Sequence, residues 1–148
     1  MNAPPIPEGG YILEDLSVGM SAELQVSITP ERIMAFAEAS GDFNPLHVDE
    51  AYAQASPYRG RVAHGLLSAS FVSAVVGTML PGPGAIYLGQ TLNFHKPVRI
   101  GDLVTARVTV QSIDPSARVI LKTECLVDGE AVLEGEATIR VPRRRRRS

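Results

Sequence analysis

Asp42, Asn44, His47, Asp49 and His64 fall close together in the chain, just ahead of its most apolar segment. A carboxylate and an imidazole held near one another can act as general base and general acid near neutral pH. Asp42 and His47 are five residues apart, whereas neighbours on a helix face sit three or four apart. A loop turned at Asn44-Pro45 would have to bring both inward, and spacing alone does not establish that it does. A local reading competes at each position. Asp42 suits a turn after a helix, His47 suits a surface or structural position, and Asp49 suits a helix N-cap.

His64-Gly65 opens the apolar segment, which runs from Gly65 to Leu80. In a helix, free N–H groups and the positive end of the dipole meet at its first residue. Glycine there lets a ligand approach the backbone closely. A carbonyl oxygen gaining negative charge would be stabilised at that point, as in an oxyanion hole. A tight helix entry accounts for Gly65 equally well. Ser73 lies within the segment, where a buried hydroxyl needs a partner in the site or a carbonyl one turn earlier.

Other chemistries find little support. Asp42, His47, Asp49 and His64 show no compact metal spacing such as His-Glu-x-x-His, so no metal is expected. Ser68 and Ser70 are not in a Gly-x-Ser-x-Gly elbow. Pro81-Gly82-Pro83-Gly84 lacks the Lys-Ser/Thr ending of a phosphate loop. Cys125 reads as a small buried apolar residue, and His95 as a surface residue after a strand.

One domain must position these groups, since 148 residues leave no room for two. Apolar residues make up 45% and charged residues 20%, which marks a globular chain. Aromatics are only 5% and Trp is absent, so Ala, Val, Leu and Ile must fill the core, and stacking on bases is not indicated. The net charge of -2 conceals Arg143 to Arg147; the body without them carries -7 and lacks the basic character of a nucleic-acid binder. A single cysteine excludes an intrachain disulfide framework and fits a reducing compartment. The N-terminus does not read as a secretory signal, and Gly65 to Leu80 falls short of the roughly 18 residues that span a bilayer. A soluble, cytoplasmic protein with no membrane partner is expected.

Residues 1–10 are rich in Pro and Gly and read as a flexible arm, 11–142 as the domain, and 143–148 as an arginine-rich tail. Met20, Ala22, Leu24, Val26 and Ile28 alternate as in a half-buried strand. Thr29-Pro30-Glu31 predicts a helix start, with Ile33, Phe36 and Ala37 on one face and Gly41 as a left-handed cap. Asp42 to Val48 reads as loop, and Asp49 to Ala55 as a short helix. The Gly65 to Leu80 helix is apolar or small all round, which predicts protein on every side. Strands follow at Ile86 to Phe94 (with Gly89 at a bulge), Leu103 to Ser112, Val119 to Val127 and Ala131 to Val141. Asp128-Gly129 is a hairpin turn. The last strand should turn Leu133, Ala137, Ile139 and Val141 inward and Val132 outward. This is an α+β pattern in which the apolar helix covers an antiparallel sheet.

The run Ser40-Gly41-Asp42-Phe43-Asn44-Pro45-Leu46-His47-Val48-Asp49 resembles the signature of the MaoC-like (R)-specific enoyl-CoA hydratases. Val62-Ala63-His64-Gly65-Leu66-Leu67 is similar to that family's second motif. Pro81-Gly82, Tyr87-Leu88-Gly89-Gln90, Phe94, Pro97-Val98 and Gly101-Asp102 extend the resemblance over roughly residues 12 to 142. It implies a single hot-dog domain, a curled antiparallel sheet wrapped around a long central helix, and a homodimer whose sheets join edge to edge. It further implies syn hydration of a trans-2-enoyl-CoA to an (R)-3-hydroxyacyl-CoA. His47 and Asp42 would share the water, the Gly65 N–H would hold the thioester oxygen, and Asn44 and Ser73 would support them. No cofactor is implied, because coenzyme A belongs to the substrate. The arginine tail departs from the pattern and suits either a solvated end or attraction for CoA phosphates or another polyanion. Dehydration of an acyl-carrier-protein substrate, thioester hydrolysis and non-catalytic acyl-CoA binding are the competing readings.

Overall fold

Alternating apolar side chains build one antiparallel sheet. In a computed structural model that describes residues 6–144, the strands are β1 (Ser21–Ser27), β2 (Ile86–Gln90), β3 (Asn93–Phe94), β4 (Leu103–Ile113), β5 (Arg118–Val127) and β6 (Glu130–Arg140). Their order is β1-β4-β5-β6-β2, and β3 also pairs with β6. The arm expected over residues 1–10 and the tail expected over 143–148 lie outside the described residues at 1–5 and 145–148.

The inner face carries Val104, Ala106 and Val108 of β4, Leu121 and Cys125 of β5, and Leu133, Ala137 and Ile139 of β6, all buried. The outer face is charged: Glu23, Arg107 and Glu124 stand opposite one another across β1, β4 and β5 and form ion pairs of 2.9 and 3.3 Å. Asp128 and Gly129 both have positive φ, 51° and 77°, which gives the tight β5–β6 turn its primed geometry.

The first helix, α1 (Pro30–Ser40), starts on a Thr29 side-chain cap to the Arg32 N–H at 3.1 Å and ends on Gly41 at φ 84°. The helices α2 (Pro45–Val48) and α3 (Glu50–Gln54) follow, and then α4 (Gly65–Thr78). The apolar helix α4 packs across β1, β4, β5 and β6, burying Leu67, Phe71, Val72, Val75 and Val76. No helix among the described residues is long and apolar enough to cross a membrane.

Four local expectations are corrected. Residues 45–48 form a helical turn rather than loop, because Asn44 caps it through its side chain and Pro45 presets its first residue. The strand expected over Ile86 to Phe94 breaks in two where the Thr91 carbonyl passes over Gly135, so closely that a Cβ there would lie 1.8 Å from the oxygen. Val132 is buried rather than outward, since a bulge between β5 and β6 inserts it as an extra residue. Helix α4 is not covered all round: Leu66, Ser70, Ser73 and Gly77 leave one exposed stripe, where the described chain supplies no further layer. The bulge expected near Gly89 is present, with Leu88 the unpaired residue. Residues 6–10 lie against the turn at Pro81–Gly84, and a Cβ on Gly10 would meet the Pro83 oxygen at 2.3 Å.

Candidate active site

The stretch after α1 is a chain of side-chain-capped turns. Gly41 closes the helix with its N–H on the Ala37 carbonyl at 2.8 Å. Asp42 Oδ1 accepts the Asn44 N–H at 3.1 Å, and Asn44 Oδ1 accepts the Leu46 N–H at 3.0 Å. Each short polar side chain thus satisfies the backbone two residues on. The Asp42 carboxylate is oriented by one of its oxygens and keeps the other free. Asn44 acts as the cap that starts α2, and α2 presents His47. Asp49 takes the bland role: it caps α3 by accepting the Tyr52 N–H at 3.0 Å.

The strand-like segment 61–64 then clasps this turn. The Val62 N–H reaches the Leu46 carbonyl at 3.2 Å, and Arg61 Nε donates to the His47 carbonyl at 2.6 Å. His47 Nδ1 lies 2.7 Å from the Val62 carbonyl, which can only accept. His47 therefore carries its proton on Nδ1 and leaves Nε2 as a free lone pair. The same logic fixes His64, whose Nε2 is 2.9 Å from the Asp42 carbonyl. The two rings stack with centroids 3.9 Å apart and 31° between planes, and Phe36 abuts His64 from another side at 4.8 Å. Burial holds the His64 pKa below its ordinary value and the neighbouring His47 adds to this, against an opposing pull from the Asp42 carbonyl and carboxylate.

Asp42, His47, His64 and Gly65 line one cavity of about 480 Å³, within the usual size of a small-molecule site. Its other walls are mostly apolar: Leu46, Val62, Leu66, Phe94, Val98, Val132 and Leu133. Gly65 is the first residue of α4, and neither its N–H nor that of Leu66 has a partner among the described residues. Phe94 closes over Gly65, where an added Cβ would stand 2.5 Å from ring Cε1. The cavity thus holds a lone-pair base, a carboxylate and a free helix-end donor against an apolar lining. Such a set can move protons beside a polarised carbonyl.

Ser73 is not brought into this cavity; its side chain is exposed on the α4 stripe. Ser68 stands in the wall instead, buried, with its hydroxyl unpaired. Asp42, His47 and His64 offer ligand atoms within 4.8 Å of one another. One nitrogen of each ring lies against a backbone carbonyl, which leaves one ring nitrogen apiece beside the Asp42 carboxylate. Cys125 is buried with its thiol pKa pushed up to about 12 by burial, which leaves it inert. His95 pairs with Glu134 at 3.1 Å near the mouth.

Residues 16–128 match the family model described as the MaoC like domain. The chain belongs to the MaoC-like family. A curated relative of this MaoC-like chain, the (R)-specific enoyl-CoA hydratase of Rhodospirillum rubrum, is 53% identical over 135 residues, covering 90% of this chain and 94% of the relative. The 3-hydroxybutyryl-CoA dehydratase of Methylorubrum extorquens is 48% identical, with 88% and 84% covered. An unliganded R-hydratase structure from Pseudomonas aeruginosa superposes with a TM-score of 0.88 at 42% identity, over 91% of this chain and 88% of that one. Sequence reasoning on the MaoC-like chain named His64 as a nearby imidazole without finding its stacking on His47. It weighed Ser68 only as a hydrolase nucleophile, for which the surrounding residues form no elbow. Only the helix phase, with Ser68 one turn after His64, could have placed that hydroxyl on the inner side.

Proposed function

We propose that this protein is an (R)-specific enoyl-CoA hydratase, adding one water to a trans-2-enoyl-CoA by syn addition and catalysing the reverse dehydration. The observation that carries the reading is the Nδ1–H bond of His47 to the Val62 carbonyl, which leaves Nε2 as a base in the cavity that Asp42 and Gly65 also line. The thioester oxygen accepts the Gly65 N–H, drawing electron density from C3. Water held between Asp42 and His47 loses a proton to His47 Nε2 and bonds to C3. The proton held by His47 then returns to C2 with the help of Asp42, which restores both groups, and delivery from one face makes the addition syn. The identities of 48–53% to proteins named for CoA thioesters favour CoA over acyl-carrier protein.

The working form is a homodimer in the cytoplasm. The edge strand β2 exposes Ile86, Tyr87 and Leu88, and a free apolar edge calls for cover. Leu66 belongs both to the cavity wall and to the exposed α4 stripe, so a second copy lying there would close the mouth. Sedimentation at twice the chain mass tests the dimer.

The activity is tested by loss of the conjugated enoyl absorbance on adding protein, with chiral analysis of the product. Turnover to the (R)-3-hydroxyacyl-CoA is expected. No turnover, or undiminished turnover by Asp42→Asn, would remove the reading. Release of free thiol would show hydrolysis instead, and a parallel carrier-protein substrate would show the choice of carrier.

A further inference from the structure

His64 occupies the N-cap of α4, where Ser, Thr, Asp or Asn usually stands and bonds the helix's own first N–H groups. His64 makes no such cap bond. Its side chain turns away and donates Nε2–H to the Asp42 carbonyl at 2.9 Å, across 22 residues of chain. The Gly65 N–H, at the first helical position beside it, lies on the cavity without a partner among the described residues. The same ring lies against the face of His47 at 3.9 Å. One buried imidazole therefore touches the supports of all three groups given roles above.

The placement is demanding. His64 is 2% exposed, and its Nδ1 has no partner among the described residues. An unpaired buried nitrogen carries a desolvation penalty that an apolar side chain of similar size avoids. Packing alone would be served better by phenylalanine or leucine, so the imidazole answers another need. Burial also disfavours its charged form, so the ring beside His47 stays neutral and does not repel a proton arriving there.

We infer that His64 is a positioning residue for hydration: it ties the turn that carries Asp42 to the helix end that carries Gly65, and it backs the His47 ring, fixing the three in one mutual geometry. This rests on the hydratase reading. Because the reacting groups must be held to within a fraction of an ångström, slackening the tie reduces turnover more than binding.

The test compares wild type with His64→Gln, His64→Phe and His64→Ala. Glutamine retains an N–H for the Asp42 carbonyl, phenylalanine retains the stacking face, and alanine retains neither. His64→Ala is expected to lower kcat by about 30-fold or more with KM changed less than about threefold, and His64→Gln to recover part of the loss. His64→Phe should match wild type in thermal stability yet stay impaired. A kcat within threefold of wild type for folded His64→Phe and His64→Gln would overturn the inference, as would a defect confined to KM. Wild-type turnover in the same assay separates that failure from failure of the hydratase reading. Independently of turnover, ¹⁵N spectra of the imidazoles should show His64 as a single neutral Nε2–H tautomer, with the His47 Nδ1–H signal averaged in His64→Ala. An unaltered His47 signal in His64→Ala would equally sink the idea.

Discussion

Gly65→Ala separates the structural use of the glycine from its use as a hydrogen-bond donor. The added methyl would stand 2.5 Å from Phe94 Cε1, 2.8 Å from Cδ1 and 3.1 Å from Cζ. Carbon atoms rest at about 3.5–4.0 Å, so the ring must retreat by about 1.0–1.5 Å. Phe94 is 53% exposed, which leaves the ring room to retreat among the described residues. Alanine also favours helix over glycine by about 0.5–1 kcal/mol. Net stability should therefore stay within about 1 kcal/mol, or about 2–4 °C in melting temperature for a chain of this size. Activity should respond far more. The ring is a cavity wall, and a misplacement of about 1 Å near the chemistry can remove about 10²-fold in rate; a methyl that bars the thioester oxygen from the N–H approaches the loss of about 10²–10³-fold that follows removal of an oxyanion donor. Hydration of an enoyl-CoA, followed as initial rates beside a thermal melt, should show kcat/KM down by about two to three orders of magnitude in a folded protein. Repeating the substitution in a Phe94→Ala background gives the methyl room. A penalty that persists there belongs to the approach of the thioester to the N–H; one that vanishes belongs to the ring. Should Gly65→Ala retain kcat/KM within threefold of wild type, the reaction does not need the close approach to the backbone that glycine allows at this position.

Asp42→Asn and His47→Ala are each expected to lower kcat by about 10²–10⁴-fold, equivalent to about 3–5 kcal/mol; Asp42→Asn keeps its Oδ1 acceptor and its melting temperature, whereas His47→Ala also gives up the bond to the Val62 carbonyl, a loss of about 1 kcal/mol in stability. Retention of more than a tenth of wild-type rate by either variant would contradict its role. Ser68→Ala deletes a buried, unpaired hydroxyl and should leave the urea midpoint unchanged or raise stability by up to about 1 kcal/mol; a loss above about 2 kcal/mol would reveal a partner for that oxygen. His64 titrates below 6.5 in the folded chain, so the unfolded chain binds more protons in the window under that value. Its contribution to stability is complete above pH 6.5 and declines as the pH falls toward the lower folded value, by at most about 1.4 kcal/mol per unit. Urea titrations from pH 7 to about pH 5 should show this slope in wild type and not in His64→Phe; equal slopes would argue against it.

Periodicity made the fold readable where burial is one-sided. The alternation in β1, β4 and β5 and the Thr29 and Gly41 caps of α1 follow from side-chain sterics and local hydrogen bonds that a short window contains. The breaks were not readable, because distant backbone imposes them. Thr91 crosses Gly135, and the extra Val132 faces Cys125 and Leu126 of β5. The catalytic candidates were legible as types and positions, but the tautomer of His47 was not, since it depends on the Val62 carbonyl fifteen residues later. Ser73 and Ser68 show the same limit. Both lie on α4, and only the placement of the sheet decides that Ser68 faces the cavity and Ser73 the surface.

The clasp between residues 42–47 and 61–64 also bears on how the protein assembles. Its bonds close short stretches of chain: Arg61 to His47 spans 14 residues, His47 to Val62 spans 15, Val62 to Leu46 spans 16 and His64 to Asp42 spans 22. The Arg107–Glu23 pair of the sheet spans 84. Loop-closure entropy grows with the logarithm of length, so the longest of the clasp contacts costs about 1 kcal/mol less to close than that sheet pair. Asp42 and His47 thus sit on a segment that gathers by local closure, while the sheet beneath depends on slower, long-range pairing. Substitutions in the sheet can accumulate without redrawing the site, provided that α4 keeps its seat and the clasp keeps its four bonds.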